Sequence, residues 1–334
     1  MKSLDRKLRA IRDGQYTPDH FLLADAKDAD MAWGVASAGP VRAGDSTPSG
    51  RRWRTRPEFL EAMRAIVRQG EQDVLLASAS NGEALAREGL FEDGPVTLAV
   101  RANDATDIWG PRGGAYAREP SRPFRSARLE AVRPFCDLGL YSITFNNQLA
   151  QDLASLEEYA RFRAEALRLG FRHFLEVFNP NAPAGLAAAD LPHFVNDSIA
   201  RALAGVTAAE RPIFLKVAYN GPAALEELVA WDPTLVVGVL GGAAGTTRDC
   251  YELLAQAERH GARVALFGRK INLAESPLDL VALMRPVIRR ELGPEEAVRA
   301  YHGALERRAI RPVRPLAEDL RITEPVLAAG EASG

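Results

Sequence analysis

A lysine and a glutamate, each set in an otherwise apolar run, are the residues of this 334-residue chain best suited to chemistry. Lys216 lies within Ile213-Phe214-Leu215-Lys216-Val217-Ala218-Tyr219-Asn220-Gly221, after Pro212, and Glu176 lies within His173-Phe174-Leu175-Glu176-Val177-Phe178. Runs of this length and composition predict buried strands. Alternation then puts Lys216 on one face with Phe214 and Ala218, and Glu176 with Phe174 and Phe178. An ammonium taken out of water needs a partner or gives up its proton. Moving a lysine from its reference pKa of ~10.4 to about 7 takes roughly 4–5 kcal/mol of environmental bias and yields a nucleophile toward carbonyls. The alternative is a strand-end lysine whose stem is buried while its ammonium reaches water or a carboxylate.

Other charged residues fall at the ends of apolar runs. Phe21-Leu22-Leu23-Ala24-Asp25 ends in an acid, with Lys27 and Asp28 just beyond, and a third-strand run ends in Arg101-Ala102-Asn103-Asp104. Asp25 or Asp28 taken singly is equally a salt-bridge partner or a helix cap. Two later runs end in glycine: Val239-Leu240-Gly241-Gly242-Ala243-Ala244-Gly245-Thr246-Thr247-Arg248-Asp249 and Leu266-Phe267-Gly268-Arg269-Lys270-Ile271-Asn272. Glycine lets a backbone approach an anion, and a following helix start supplies oriented N–H donors. Gly241, Gly242, Gly268 and Arg269 therefore form a candidate phosphate site, and Arg101 and Lys27 join them as substrate-binding candidates. A Gly-Gly pair alone is equally a tight turn.

The elements that must position these residues alternate between apolar runs and helical periods. Eight strands are predicted, at Phe21–Asp25, Asp73–Ala77, Val96–Arg101, Ser142–Asn146, His173–Phe178, Ile213–Tyr219, Leu235–Leu240 and Arg263–Gly268. Helices are predicted at Arg56–Gln69, with a Phe59, Leu60, Met63, Ile66, Val67 stripe, and at Ser155–Leu169, with Ser155 and Glu158 as a capping box. Ser276-Pro277 predicts a helix start running toward Leu292 with a kink at Pro286, Glu295–Arg307 a further helix, and Ala328–Gly334 a frayed end.

Eight such units in this length give a single (β/α)8 TIM barrel spanning 1–334. It has an N-terminal helix, a core of about 20–305, a long loop after strand one, extra C-terminal helices and a C-terminal extension of 306–334. An open doubly wound sheet is the alternative, although no GxGxxG follows the first strand. In a barrel the Gly-, Pro- and Arg-rich loop Ala26–Thr55 reads as a substrate cover, because loops at the carboxyl ends of strands build the site.

Composition favours an ordinary soluble protein, with 47% hydrophobic residues, 26% charged residues and a net charge of −2. No global charge draws the chain to nucleic acid or to an anionic membrane. The basic cluster Arg51-Arg52-Trp53-Arg54-Thr55-Arg56 is the one local candidate for contacting phosphates, against a solvated loop or a clamp on a small phosphorylated ligand. Cys136 and Cys250 build no disulfide framework. His20, His173, His193, His260 and His302 form no HxH or HxxxH pair, so no metal is expected. A charged start without an apolar core behind it makes the cytoplasm the expected compartment, and a homo-oligomer is expected from the commonness of such assemblies.

The combination FLKVAYNG, VLGGAAGTTRDC and ALFGRKIN resembles the class I, Schiff-base aldolases of the DeoC/LacD and archaeal fructose-bisphosphate aldolase group. The resemblance covers roughly residues 20 to 305, with its specific motifs in the last three strands. It implies a lyase acting on a sugar phosphate without a cofactor, in which Lys216 forms the imine and Gly241, Gly242, Gly268 and Arg269 hold a phosphate. Glu176 matches the proton shuttle of the tagatose-bisphosphate-type members, and Asp25 their first-strand aspartate. Some of those relatives carry a second lysine on strand four, where Tyr141-Ser142-Ile143-Thr144-Phe145-Asn146-Asn147 has none. Two other functions stay open: a phosphosugar isomerase or epimerase with Glu176 as base and no imine, and a barrel that binds a phosphorylated metabolite without turnover.

Overall fold

Eight parallel strands close on themselves with neighbours in sequence also neighbours in space, which makes the protein a (β/α)8 barrel. They are β1 (Leu22–Lys27), β2 (Val74–Ala77), β3 (Thr97–Arg101), β4 (Leu138–Thr144), β5 (Arg172–Phe178), β6 (Leu215–Val217), β7 (Val237–Leu240) and β8 (Val264–Phe267). The computed structural model describes residues 1–41, 52–242 and 245–331. Residues 42–51 of the long loop, Arg51 among them, Ala243 and Ala244 of the glycine-rich segment, and 332–334 of the tail lie outside the described residues.

Alternation divides each strand between two cores. Leu22, Ala24, Leu76, Ala99, Leu140 and Phe174 belong to the barrel interior, together with Phe214, Val236, Val264 and Leu266. The Phe174 and Phe214 rings stack there at 4.5 Å. Leu23, Leu75, Val100, Tyr141, Leu175, Leu215, Val239 and Phe267 point the other way, into the layer shared with the helices. The helix Ser3–Arg12 plugs the amino end of the barrel with Leu4 and Leu8, which pack on the interior cluster. Lys7 of that helix binds Asp73 at 3.0 Å, and Asp73 also accepts from the Leu23 amide at 2.9 Å. The plug is thereby tied to two strands.

Several expected boundaries are corrected. β4 begins at Leu138, because the apparent breaker Gly139 is a close approach: a Cβ there would lie 2.6 Å from the Phe171 ring. β6 is shorter than the apolar run around Lys216, since the chain must turn toward Gly221, whose φ is 98°. Past the strand ends, Asn179 and Asn220 exchange paired side-chain amide bonds of 2.8 and 2.9 Å. The fourth helix of the barrel repeat runs Leu149–Leu169, so Ser155 is a buried mid-helix residue and not a cap. Asp152 instead accepts from the amides of Asn146 and Gln148 at 2.8 and 3.1 Å. Leu149 and Leu153 are exposed in the added turns, which blurs the helical period.

After β8 the predicted long helix is two, Pro277–Ala282 and Met284–Ile288. Pro286 offers no N–H to the Ala282 carbonyl and crowds it, so the first helix ends at Ala282 and the break falls at Leu283. Of the predicted frayed end, residues 328–331 are instead helical, within Pro325–Glu331, where the Leu327 carbonyl accepts from Gln256 at 2.8 Å; 332–334 lie outside the described residues. Among the described residues no helix is long and apolar enough to cross a membrane.

His173 on β5 faces the helix layer, with Nε2 2.8 Å from the Tyr159 hydroxyl and its ring edge-on to Phe162. Burial, aided by the nearby Arg163 charge, lowers its pKa from 6.5 to about 3. The unfolded chain binds this proton at a higher pH than the folded one, so stability falls as pH drops from about 6.5 toward 3. The contribution is up to ~1.4 kcal/mol per pH unit. Urea unfolding at pH 7 and pH 4.5 is expected to show a smaller acid loss in His173→Gln than in the unsubstituted protein. An unchanged pH slope in the variant contradicts this assignment.

Candidate active site

At the carboxyl ends of the strands the interior turns from apolar to charged. Continuing each strand's inward alternation leads to Asp28 after β1, Arg101 on β3, Ser142 on β4, Glu176 on β5 and Lys216 on β6. Register places Glu176 beside Ser142 on one side and beside Lys216 on the other. All five are buried, and Asp28, Arg101, Glu176 and Lys216 line a cavity of about 640 Å³.

These side chains form one connected network. Lys216 Nζ pairs with Glu176 Oε1. Glu176 Oε2 accepts from the Ser142 hydroxyl at 2.5 Å and from Arg101 Nη2 at 3.1 Å. Arg101 Nη1 donates to Ser142 Oγ at 2.8 Å, and its Nε donates to Asp28. Burial disfavours the Arg101 charge, but Asp28 and Glu176 outweigh it and hold its pKa above the ordinary value. Asn103 fixes the strand that carries Ser142. Its amide oxygen accepts from the Ser142 N–H at 2.6 Å, and its amide nitrogen donates to the Ser142 carbonyl at 2.8 Å. The side chain thus continues the β3–β4 ladder beyond the end of β3.

Two candidates from the first strand lie elsewhere. Asp25 and Lys27 occupy the outward register of β1 and do not line the cavity, whereas Ala26 and Asp28 do. Lys27 Nζ lies 2.8 Å and 2.7 Å from the two Asp25 carboxylate oxygens, and both residues are buried. Burial raises the Asp25 pKa and lowers that of Lys27, each effect partly offset by the partner's charge. The pair is internal to β1 and neutralises two charges on its outward face, and Asp28 is the first-strand carboxylate that faces the cavity. β1 extends to Lys27, two residues past the predicted end; Leu22, Ala24 and Ala26 take its inward register, so Asp25 is outward and the same alternation leads to Asp28.

The glycine-bearing ends of β7 and β8 form the opposite wall. Gly241 donates its N–H to the Leu266 carbonyl at 2.8 Å and so belongs to the ladder. Gly242, with φ 60°, and Gly268 line the cavity. Arg269 donates to the Gly242 carbonyl at 2.7 Å, with its guanidinium 5.7 Å from the Trp33 ring. Lys270 is buried beside it, and its ammonium donates to Thr247 Oγ1 at 3.3 Å. Burial lowers the Lys270 pKa, with Cys250 and Asp319 pulling the other way.

Loops complete the enclosure. Ala29 and Trp33 come from the long loop after β1, Ile108 from the loop after β3, and Glu324, Val326 and Leu327 from the C-terminal segment. The described part of the basic cluster is turned to neighbours: Arg52 binds Glu58 at 2.8 and 3.0 Å, and Arg56 donates to Asn81 at 2.8 Å. Among the described residues no group of three His, Cys, Asp or Glu side chains is placed to hold a metal ion.

Sequence reasoning reached Lys270 as added charge beside Arg269 but passed over Ser142, Asn103 and the C-terminal wall. Ser142 had a signal, since it follows Leu138 and Leu140 at the strand period. The C-terminal wall had none, because its contacts are set by the fold and not by any local pattern.

No protein-family model matches this chain, and no curated protein is similar to it. Solved structures are similar in fold. A fructose-bisphosphate aldolase from Slackia heliotrinireducens matches with a TM-score of 0.62 at 16% identity, over 90% of each chain. An archaeal fructose-1,6-bisphosphate aldolase, with its catalytic lysine covalently bound to the carbinolamine intermediate of the substrate, matches with a TM-score of 0.59 at 15% identity. That match covers 86% of this chain and 100% of the other. A Corynebacterium glutamicum protein matches with a TM-score of 0.57 at 17% identity, over 86% of this chain and 98% of its own. These likenesses show the barrel fold.

Replacing Arg101 by methionine would leave the buried Asp28 without its cation and Glu176 with Lys216 alone. A loss of about 3–5 kcal/mol in urea unfolding is expected. Arg101→Lys should recover only part of it, since a point charge cannot serve three acceptors as a planar fork does. A loss under ~1 kcal/mol in Arg101→Met would contradict the network's role in stability.

Proposed function

We propose that the protein is a class I aldolase that makes or breaks a carbon–carbon bond in a phosphorylated ketose through an imine on Lys216. The observation that carries this reading is the pairing of Lys216 with one oxygen of Glu176 while Ser142 and Arg101 hold the other. The fold shared with Schiff-base-forming fructose-1,6-bisphosphate aldolases is consistent with it.

The ion pair is a resting form one proton transfer from reactivity. Passing a proton from Lys216 to Glu176 Oε1 gives a neutral amine beside a neutral acid. The amine adds to the ketone carbon, and Glu176 supplies the proton that lets the carbinolamine oxygen leave as water. The resulting iminium is the electron sink. When the bond two carbons away breaks, its electron pair moves toward the iminium nitrogen and leaves an enamine. The hydroxyl proton on the departing fragment goes to a carboxylate, for which Asp28 is the inward first-strand candidate. Protonation of the enamine and addition of water then release the second product and restore the amine. Arg269 and Lys270 anchor the phosphate, which supplies binding energy remote from the reacting carbons.

Borohydride reduction in the presence of ketose phosphates or dihydroxyacetone phosphate is expected to give a stable mass adduct on the peptide carrying Lys216. Lys216→Ala should show neither adduct nor cleavage. Glu176→Gln should slow turnover by about 10²–10⁴-fold, the usual contribution of a positioned acid–base group. Full activity in Lys216→Ala together with no trapped adduct would sink the imine, and a Glu176-dependent isomerisation would then replace it.

A further inference from the structure

We propose that the substrate carries a single anionic group, seated against Arg269 and Lys270, and that its far end is uncharged. The chemical class, a ketose, rests on the aldolase reading above. The charge count does not.

Among the described residues four cationic side chains line the cavity: Arg101, Lys216, Arg269 and Lys270. Arg101 is committed to Asp28 and Glu176, and Lys216 is committed to Glu176. That leaves the Arg269–Lys270 corner as the one place among the described lining residues where a phosphate meets uncommitted cationic charge. Lys270 is built for it. The residue is only 9% exposed, and among the described residues its ammonium makes one hydrogen bond, to Thr247 Oγ1. Two of its three N–H donors stay available. Gly268 lets the backbone come close beside it: a Cβ there would sit 3.0 Å from the Ala26 carbonyl oxygen.

Among the described lining residues the remaining walls carry the opposite sign or no charge. Asp107 lines the side formed by the loop after β3, held by the hydroxyls of Thr144 and Ser121 at 2.6 and 2.9 Å. Asn179 and Asn181 continue that side with amides, and Asn181 is already bonded to Ala117, Glu119 and Ser121. The C-terminal segment brings Glu324 into the lining, with its backbone N–H fixed on Asp249 at 3.2 Å. A second phosphate would therefore face carboxylates and satisfied amides. Like charges facing a ligand act as a device against the wrong partner. The consequence for the reaction is that one fragment of the cleaved ketose bears the anion and the other is a neutral aldehyde or ketone.

The test is calorimetric titration of the full chain with fructose, fructose 1-phosphate, fructose 6-phosphate and fructose 1,6-bisphosphate. At least one monophosphate is expected to bind tenfold or more tightly than both the bisphosphate and the free sugar. Lys270→Met should lose at least tenfold for that monophosphate and leave fructose unaffected, while Glu324→Gln should narrow the gap to the bisphosphate. Equal or tighter binding of the bisphosphate overturns the proposal, as does failure of both monophosphates to bind. Borohydride trapping on the same samples separates the two readings. A monophosphate preference without a Lys216 adduct upholds the single anion site and rejects the imine. An adduct formed best with the bisphosphate does the reverse.

Discussion

One guanidinium holds the mouth of this barrel together. Arg101 reaches the end of β1 at Asp28, β4 at Ser142 and β5 at Glu176, so a single planar group links three strands. A fork of fixed N–H donors suits this geometry, and a flexible ammonium does not. The link also decides how Glu176 is used. With Oε2 taken by Ser142 and Arg101, Oε1 is the oxygen left for Lys216. The position of the candidate nucleophile thus depends on a residue that need not touch the substrate.

The strength of that arrangement comes from what lies beneath it. The lower barrel is filled by leucine, valine, alanine and two stacked phenylalanines, and the N-terminal helix closes the amino end with Leu4 and Leu8. Charges set above such a floor are poorly screened, so pairing governs them. Two cations and two carboxylates meet there, which keeps the buried layer neutral. Gly238 belongs to the same design. It is the register partner of Lys216 on β7, and a Cβ at that position would fall 2.6 Å from Val264 Cβ. The barrel closes beside the lysine only because that residue has no side chain.

Much of this was legible in the sequence because the strand period is strict. Eight apolar runs gave the barrel, and the two charges inside runs gave Lys216 and Glu176 on adjacent strands. The same period misled where a boundary was misplaced: ending β1 at Asp25 hid that the strand continues to Lys27 and that Asp28 is the inward acid. Arg101 was visible as a strand-end cation, but its partners on three strands were not, since only the closed barrel brings them together. Helix starts were less legible. The signal at Ser155 and Glu158 is a genuine capping pattern in sequence, overridden because Asp152 already turns the chain into the helix.

The C-terminal segment is the clearest case of structure carrying information that local pattern cannot. An Ala- and Gly-rich end predicts fraying, yet Gly330 packs so closely on Gln256 that a Cβ there would collide with the amide at 2.1 Å. Gln256 donates to the Leu327 carbonyl and accepts from the Tyr219 hydroxyl at 2.8 Å each. Tyr219 lies three residues beyond Lys216, so the end of the chain is hydrogen-bonded through one buried glutamine to the segment bearing the lysine. Asp249 and Asp319 add a second fastening. They accept from the amides of Thr323 and Thr247, so the segment is clasped to the first turn of the helix after β7. Low side-chain complexity is what permits this: alanine and glycine let a helix lie against the barrel's own helices, where larger residues would hold it away. A wall of the cavity is thereby built from the part of the chain with the weakest sequence signal, and one of its fastenings comes from the segment that follows the lysine's strand.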